Sequence, residues 1–142
     1  MGSLKFHEWT RWTYVRPNLA GGYAGQTLHV DVGQGRIEAR PVDLRMKELL
    51  IGGRGFDLWL LWQAVGPETR WDDPENLLCI ASGPLGGTPG YPGSGKSIAC
   101  ALSPLTGAVV DSNVGGYFGP YLKFSGFDAL AVGGNGAGDL VL

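Results

Sequence analysis

Between Gln26 and Val32 apolar and polar residues alternate. Leu28, Val30 and Val32 fall on one side, and Thr27, His29 and Asp31 on the other. A period of two is that of a half-buried strand. Gly33-Gln34-Gly35 supplies a tight turn, and residues 36–40 return with Ile37 and Ala39 inward, so a hairpin is predicted. The period then lengthens. Asp43 can cap a helix over residues 44–50. Gly52-Gly53-Arg54-Gly55 interrupts it. Phe56, Trp59, Leu60 and Val65 then carry a second helix over 56–65, which Gly66-Pro67 ends. Residues 77–82 form a continuous apolar run short enough for a buried strand. After a Gly/Pro-rich loop over 83–95, strands are predicted at 96–102, 108–111 and 128–132. One helix, 116–125, lies between the last two, with Pro120 in its first turn and Gly126 at its end. Asp139 to Leu142 reads as a further strand beginning. An isolated strand leaves backbone groups unpaired, so a continuation or a partner chain is expected.

Short strands with two or three helices, not regularly alternating, place the chain in the β-rich α+β class. Residues 1–21 are aromatic and irregular and end in Pro17-Asn18-Leu19-Ala20-Gly21. They read as an N-terminal arm, laid on a partner subunit or on the domain's own surface. Residues 22–142 form the domain.

Composition narrows the function. A chain of 142 residues fits one domain. Glycine is abundant, at 25 residues, well above the usual share of roughly 7%. Many tight turns explain this, as does a backbone lining a bound cofactor, and both hold together. Net charge is −2 with no cluster of Lys and Arg, so a nucleic-acid surface is not expected. No apolar run approaches the roughly 18 residues of a membrane span, and residues 1–10 lack the apolar core of a signal peptide. Cys79 and Cys100 each sit in an apolar run without CxxC spacing, and read as buried thiols rather than zinc or cluster ligands. A reducing, cytoplasmic setting follows.

One motif points to nucleotide chemistry. Gly90-Tyr91-Pro92-Gly93-Ser94-Gly95-Lys96-Ser97 fits the G-x-x-x-x-G-K-[ST] pattern, in which backbone N–H groups wrap phosphates and the lysine reaches the outer ones. That chemistry needs a strand directly before the loop and a helix directly after. Here the strand ends too early and a strand follows, so a nucleotide-binding protein is only the alternative reading. Other polar residues have plainer roles. His29 is a surface or partly buried histidine on a strand. Asp72-Asp73-Pro74 is a turn. Asp111 and Asp128 are capping or turn residues. Arg54, between glycines, reaches a phosphate or holds a loop carbonyl. Trp59, Trp62 and Trp71 belong to a core or an interface.

A larger constellation runs through the chain in order. It comprises Gly52-Gly53-Arg54-Gly55, Pro74-Glu75-Asn76-Leu77, Gly83-Pro84-Leu85, Ser103-Pro104-Leu105-Thr106-Gly107, Asn113-Val114-Gly115-Gly116-Tyr117-Phe118-Gly119 and Leu122-Lys123-Phe124-Ser125-Gly126-Phe127-Asp128. From about residue 22 to the end, this resembles the N-terminal domain of the aldehyde ferredoxin oxidoreductase family, the tungsten enzymes built on a bis-pyranopterin cofactor. The resemblance implies a platform of two sheets with short helices, incomplete on its own, across which the paired pterins lie. It implies that Lys96 stands where the family carries a cofactor-reaching arginine. Asn113 then offers its backbone carbonyl to the magnesium bridging the pterin phosphates, and Gly115 and Gly116 present bare backbone to the pterin. Lysine for arginine loses the flat two-pronged contact. The resemblance places no catalytic residue here. It puts the [4Fe-4S] cluster and the acid–base residues in a larger partner chain, with ferredoxin or another electron-transfer subunit beyond it. The chain then reads as a small subunit or a fragment, with tungsten or molybdenum as the metal.

Overall fold

The structure, a computed structural model, describes residues 7–136. The strand expected over 139–142 lies outside the described residues. Strands β1 (Gln26–Asp31) and β2 (Arg36–Pro41) form the first hairpin, followed by helices α1 (Leu44–Leu50) and α2 (Arg54–Ala64). Strands β3 (Leu78–Ala81), β4 (Ser97–Leu102) and β5 (Val109–Val114) come next, then helix α3 (Phe118–Phe124) and strand β6 (Ala129–Gly133). All six strands join one mixed sheet in the order β2-β1-β6-β3-β4-β5. The β-rich α+β class is therefore observed. Where the resemblance implied two sheets, the described residues carry one.

β6 is the centre of this sheet. It pairs parallel with β1, Thr27 opposite Ala129, and antiparallel with β3, Ala81 opposite Ala129. Successive residues of a strand face opposite sides, and the core divides accordingly. On one side Met46 of α1 and Phe56 of α2 pack on Ala81 and Ala129, while Leu61 of α2 packs on Cys79 and Ala131. These small strand residues let α2 lie close to the sheet. On the other side Leu122 of α3 and Phe127 pack on Leu130, with Leu28, Val30 and Trp12 around them.

Local chemistry sets the element ends. The Asp43 carboxylate accepts from the Met46 N–H at 2.9 Å and caps α1. At the end of α3, Gly126 N–H donates to Lys123 O and Phe127 N–H to Leu122 O, the paired bonds that close a helix on a left-handed glycine. Two boundaries depart from the sequence reading. α2 takes in Arg54 and Gly55, because the break in the helical path is confined to Ile51, Gly52 and Gly53, with φ of 63°, 157° and 54°. β5 runs on through Ser112 and Asn113 to Val114. As an edge strand exposed over Val109–Asn113 it shows no apolar alternation, so its second half looked like loop.

Within the described part of the arm, residues 14–17 lie against the end of α3, while Trp9 reaches Gly35 in the β1–β2 turn. Tyr14 donates to Ser125 O at 2.7 Å and stacks on Trp12, and the Arg16 guanidinium donates to Phe124 O. Among the described residues no helix is long and apolar enough to cross a membrane.

Candidate functional site

The four sequence-predicted site residues meet at one end of the β4–β5 hairpin. Lys96 immediately precedes β4 and is exposed. Ser97 pairs with Val114 and Ile98 with Asn113, so the same register sets Lys96 opposite Gly115. A Cβ built on Gly115 would lie 3.8 Å from Lys96 Nζ and meet nothing else within 4 Å. Asn113 shares that side of the strand, two residues before. Gly116 turns the chain from β5 toward α3 with φ of 91°, a conformation that favours glycine. Its carbonyl is crowded by the preceding loop, since a Cβ on Gly95 would come within 2.7 Å of it. The result is a shallow open shelf of backbone beside one ammonium group. Such a donor set suits a flat, anionic group that must approach the main chain closely. A pyranopterin phosphate fits this chemistry.

The same geometry removes the nucleotide alternative. Residues 92–95 form turns, and Ser97 opens a strand rather than a helix. Its hydroxyl is buried and donates to Val114 O at 3.4 Å. A phosphate loop needs the orphan N–H groups of a following helix, and β4 offers none.

Arg54 holds a carboxylate rather than a loop carbonyl. Its Nε and Nη2 donate to the Asp111 carboxylate at 2.9 and 2.6 Å. Asp111 is thus an ion-pair partner rather than a cap. Asp128 is likewise no turn residue. It is fully buried and accepts from the Ala24 and Gly25 N–H groups at 3.0 and 2.7 Å, as well as from Lys123 Nζ. Asp72 and Asp73 keep to an exposed turn, where Asp73 accepts from Arg70 N–H. His29 is half-buried, 3.0 Å from the Thr27 hydroxyl. Burial, then the nearby Arg40 charge, lowers its imidazole to about 4, so it is neutral at ordinary pH. Cys79 and Cys100 face each other across β3 and β4 as free, buried thiols. Burial raises Cys100 to about 11 and Cys79 further, which leaves both unreactive.

Sequence reasoning missed Asp57. It is a fully buried residue of α2, and among the described residues neither carboxylate oxygen meets a hydrogen-bond donor in good geometry. Burial pushes its carboxyl up to about 8, against a weaker opposing pull from the nearby Ala81 backbone and with the Asp111 charge adding to the rise. The signal was available: Asp57 precedes Leu61 by four residues, on the apolar stripe of α2. Among the described residues, no three His, Cys, Asp or Glu side chains converge on a point that would hold a metal ion.

Comparison with known proteins agrees with the fold and places it. The family described as "Aldehyde ferredoxin oxidoreductase, N-terminal domain" matches residues 27–142. The tungsten-containing aldehyde ferredoxin oxidoreductase of Pyrococcus horikoshii is 39% identical over 113 residues, covering 80% of this chain and 18% of that protein. An aliphatic sulfonate oxidoreductase, WOR-like subunit, of Pyrococcus furiosus is 34% identical over 115 residues, covering 79% of this chain and 18% of its own. Among solved structures, the active site complex BamBC of benzoyl coenzyme A reductase, in complex with 1,5 dienoyl-CoA, superposes with a TM-score of 0.77. It is 38% identical and covers 82% of this chain and 18% of that chain. The chain thus spans under a fifth of the length of the relatives it matches.

Proposed function

Because this chain belongs to the aldehyde ferredoxin oxidoreductase family, as its N-terminal domain, we propose that it forms part of the platform for a tungsten bis-pyranopterin cofactor. The observation that carries the reading is the convergence of Lys96, Asn113, Gly115 and Gly116 on one open hairpin end. When bound, the cofactor supplies the redox chemistry at its metal. The residues of this chain bind and orient it. Lys96 gives a phosphate a charge-assisted contact. Asn113 would offer its backbone carbonyl to a magnesium ion bound with the cofactor. Gly115 and Gly116 let the pterin approach the main chain, where a side chain would hold it off.

No acid, base or nucleophile for catalysis is assigned here. In this reading, those groups and a [4Fe-4S] cluster belong to the remaining four-fifths of the family's architecture, on the same polypeptide or on a partner. Electrons leave through ferredoxin or another carrier. The assembly works in the cytoplasm, where the two buried thiols stay reduced. The substrate is an aldehyde or another compound of low potential.

Metal analysis of the native assembly tests this. Tungsten with extractable pterin is expected, and Gly115→Val and Lys96→Glu should each lower the tungsten content. Full metal loading in both variants would overturn the reading.

A further inference from the structure

The strand that carries Asn113 is one of the two edges of the sheet. β5 lies at the edge, paired only with β4, and its residues are exposed from Val109 to Asn113. An edge strand lacks half of its possible ladder bonds. Among the described residues, two side-chain hydrogen-bond contacts from other elements reach it. Ser97 bonds Val114 O at 3.4 Å, and Arg54 holds Asp111 through two nitrogens. Asp111 stands two residues before Asn113 on the same side of the strand.

Arg54 is itself well anchored. It is the first residue of α2 and follows Gly53, whose N–H donates to Ser82 O at the end of β3. A Cβ on the preceding Gly52 would come within 3.0 Å of Ser82 O and Gly83 Cα, so this turn sits directly on the sheet. Phe56, two residues on, is fully buried against Ala81 and Ala129. The guanidinium therefore extends from a fixed point in the core to a loosely held rim.

The geometry points to Arg54 and Asp111 as positioning residues: their ion pair fastens the edge strand to α2 and so holds Asn113 and Gly115 at the spacing from Lys96 that the cofactor requires. The link to the cofactor rests on the platform reading. The link between the pair and the strand does not. Arginine suits the task because its planar fork grips through two nitrogens, where lysine has a single point of charge.

The test uses the native assembly. Amide hydrogen exchange at residues 110–115 is measured after cofactor removal, and tungsten retention is measured on the loaded form. Arg54→Met and Asp111→Asn should each speed exchange there by roughly two- to fivefold, the range expected of a partly exposed pair. Both should lower tungsten retention. Arg54→Lys should fall between, and the exchanged pair Arg54→Asp with Asp111→Arg should recover both readouts. Unchanged exchange in either single variant would overturn the clamp, and so would faster exchange with tungsten retention unaltered. If Arg54→Met loses tungsten while Asp111→Asn keeps it, Arg54 touches the ligand itself and the positioning role is wrong. An assembly without tungsten would defeat the platform reading, while exchange would still decide whether the pair secures the strand.

Discussion

Lys123 donates to Asp128 inside the protein, where their side chains are 1% and 0% exposed. The pair joins the end of α3 to the start of β6. Through the Ala24 and Gly25 N–H groups, Asp128 also fixes the entry to β1. A buried charge is tolerable only while its partners remain. Lys123→Met should therefore destabilise the protein by about 3–5 kcal/mol, read from the urea midpoint at constant slope. Asp128→Ala should cost more, because two backbone N–H groups lose their acceptor as well.

Asp57 makes stability depend on pH in an unusual direction for an aspartate. In the folded protein its carboxyl titrates at about 8, above its ordinary value of 3.8. Between those two values the unfolded chain has released the proton and the folded chain keeps it. The contribution of Asp57 to folding is greatest below pH 4, is lost as pH rises toward 8, and levels off above that. The slope should be roughly 1 kcal/mol per pH unit. Asp57→Leu should flatten this slope and raise stability at pH 7, since it removes an unpartnered buried carboxyl. Denaturation curves at pH 5 and pH 8 on both proteins check it.

The two adjacent glycines of the shelf should respond differently. Gly115 has no left-handed backbone and meets only the tip of Lys96. Gly115→Ala should leave the melting temperature nearly unchanged while lowering metal content. Gly116 has a φ of 91°. Gly116→Ala should itself destabilise the protein, by about 1 kcal/mol. Melting curves and metal analysis together separate the two effects.

Gly126 secures the arm. A Cβ there would lie 2.7 Å from Pro17 Cδ and 3.0 Å from Arg16 Cγ, on a backbone with φ of 95°. Gly126→Ala should lift residues 12–17 from α3, shift the tryptophan emission toward the red through Trp12, and cost about 1–2 kcal/mol.

Much of the fold was legible because the relevant signals are local. The alternation at 26–32, the Asp43 cap and the glycine after Phe124 each announce an element within a few residues. What stayed hidden depends on distant neighbours. The Asp111 carboxylate looks like a turn residue until Arg54 arrives from α2. Asp128 looks the same until Lys123 and two N–H groups converge on it. β5 lost its second half to loop in the sequence reading because a strand exposed on both sides need not alternate. The shelf residues were found by motif resemblance, not by periodicity. Their closeness comes from strand register, which a single sequence does not display.

The central place of β6 has a consequence for how the molecule is made. β1–β2 and β3–β4–β5 are two separate ladders until Ala129–Gly133 inserts between them. On the ribosome both halves emerge first and must wait, each with an apolar rim uncovered, for the last described strand to leave the exit tunnel. Pairing across such a long stretch of chain is slow. Premature termination before Ala129 should thus yield a chain with two unjoined, sticky ladders rather than a shortened native protein.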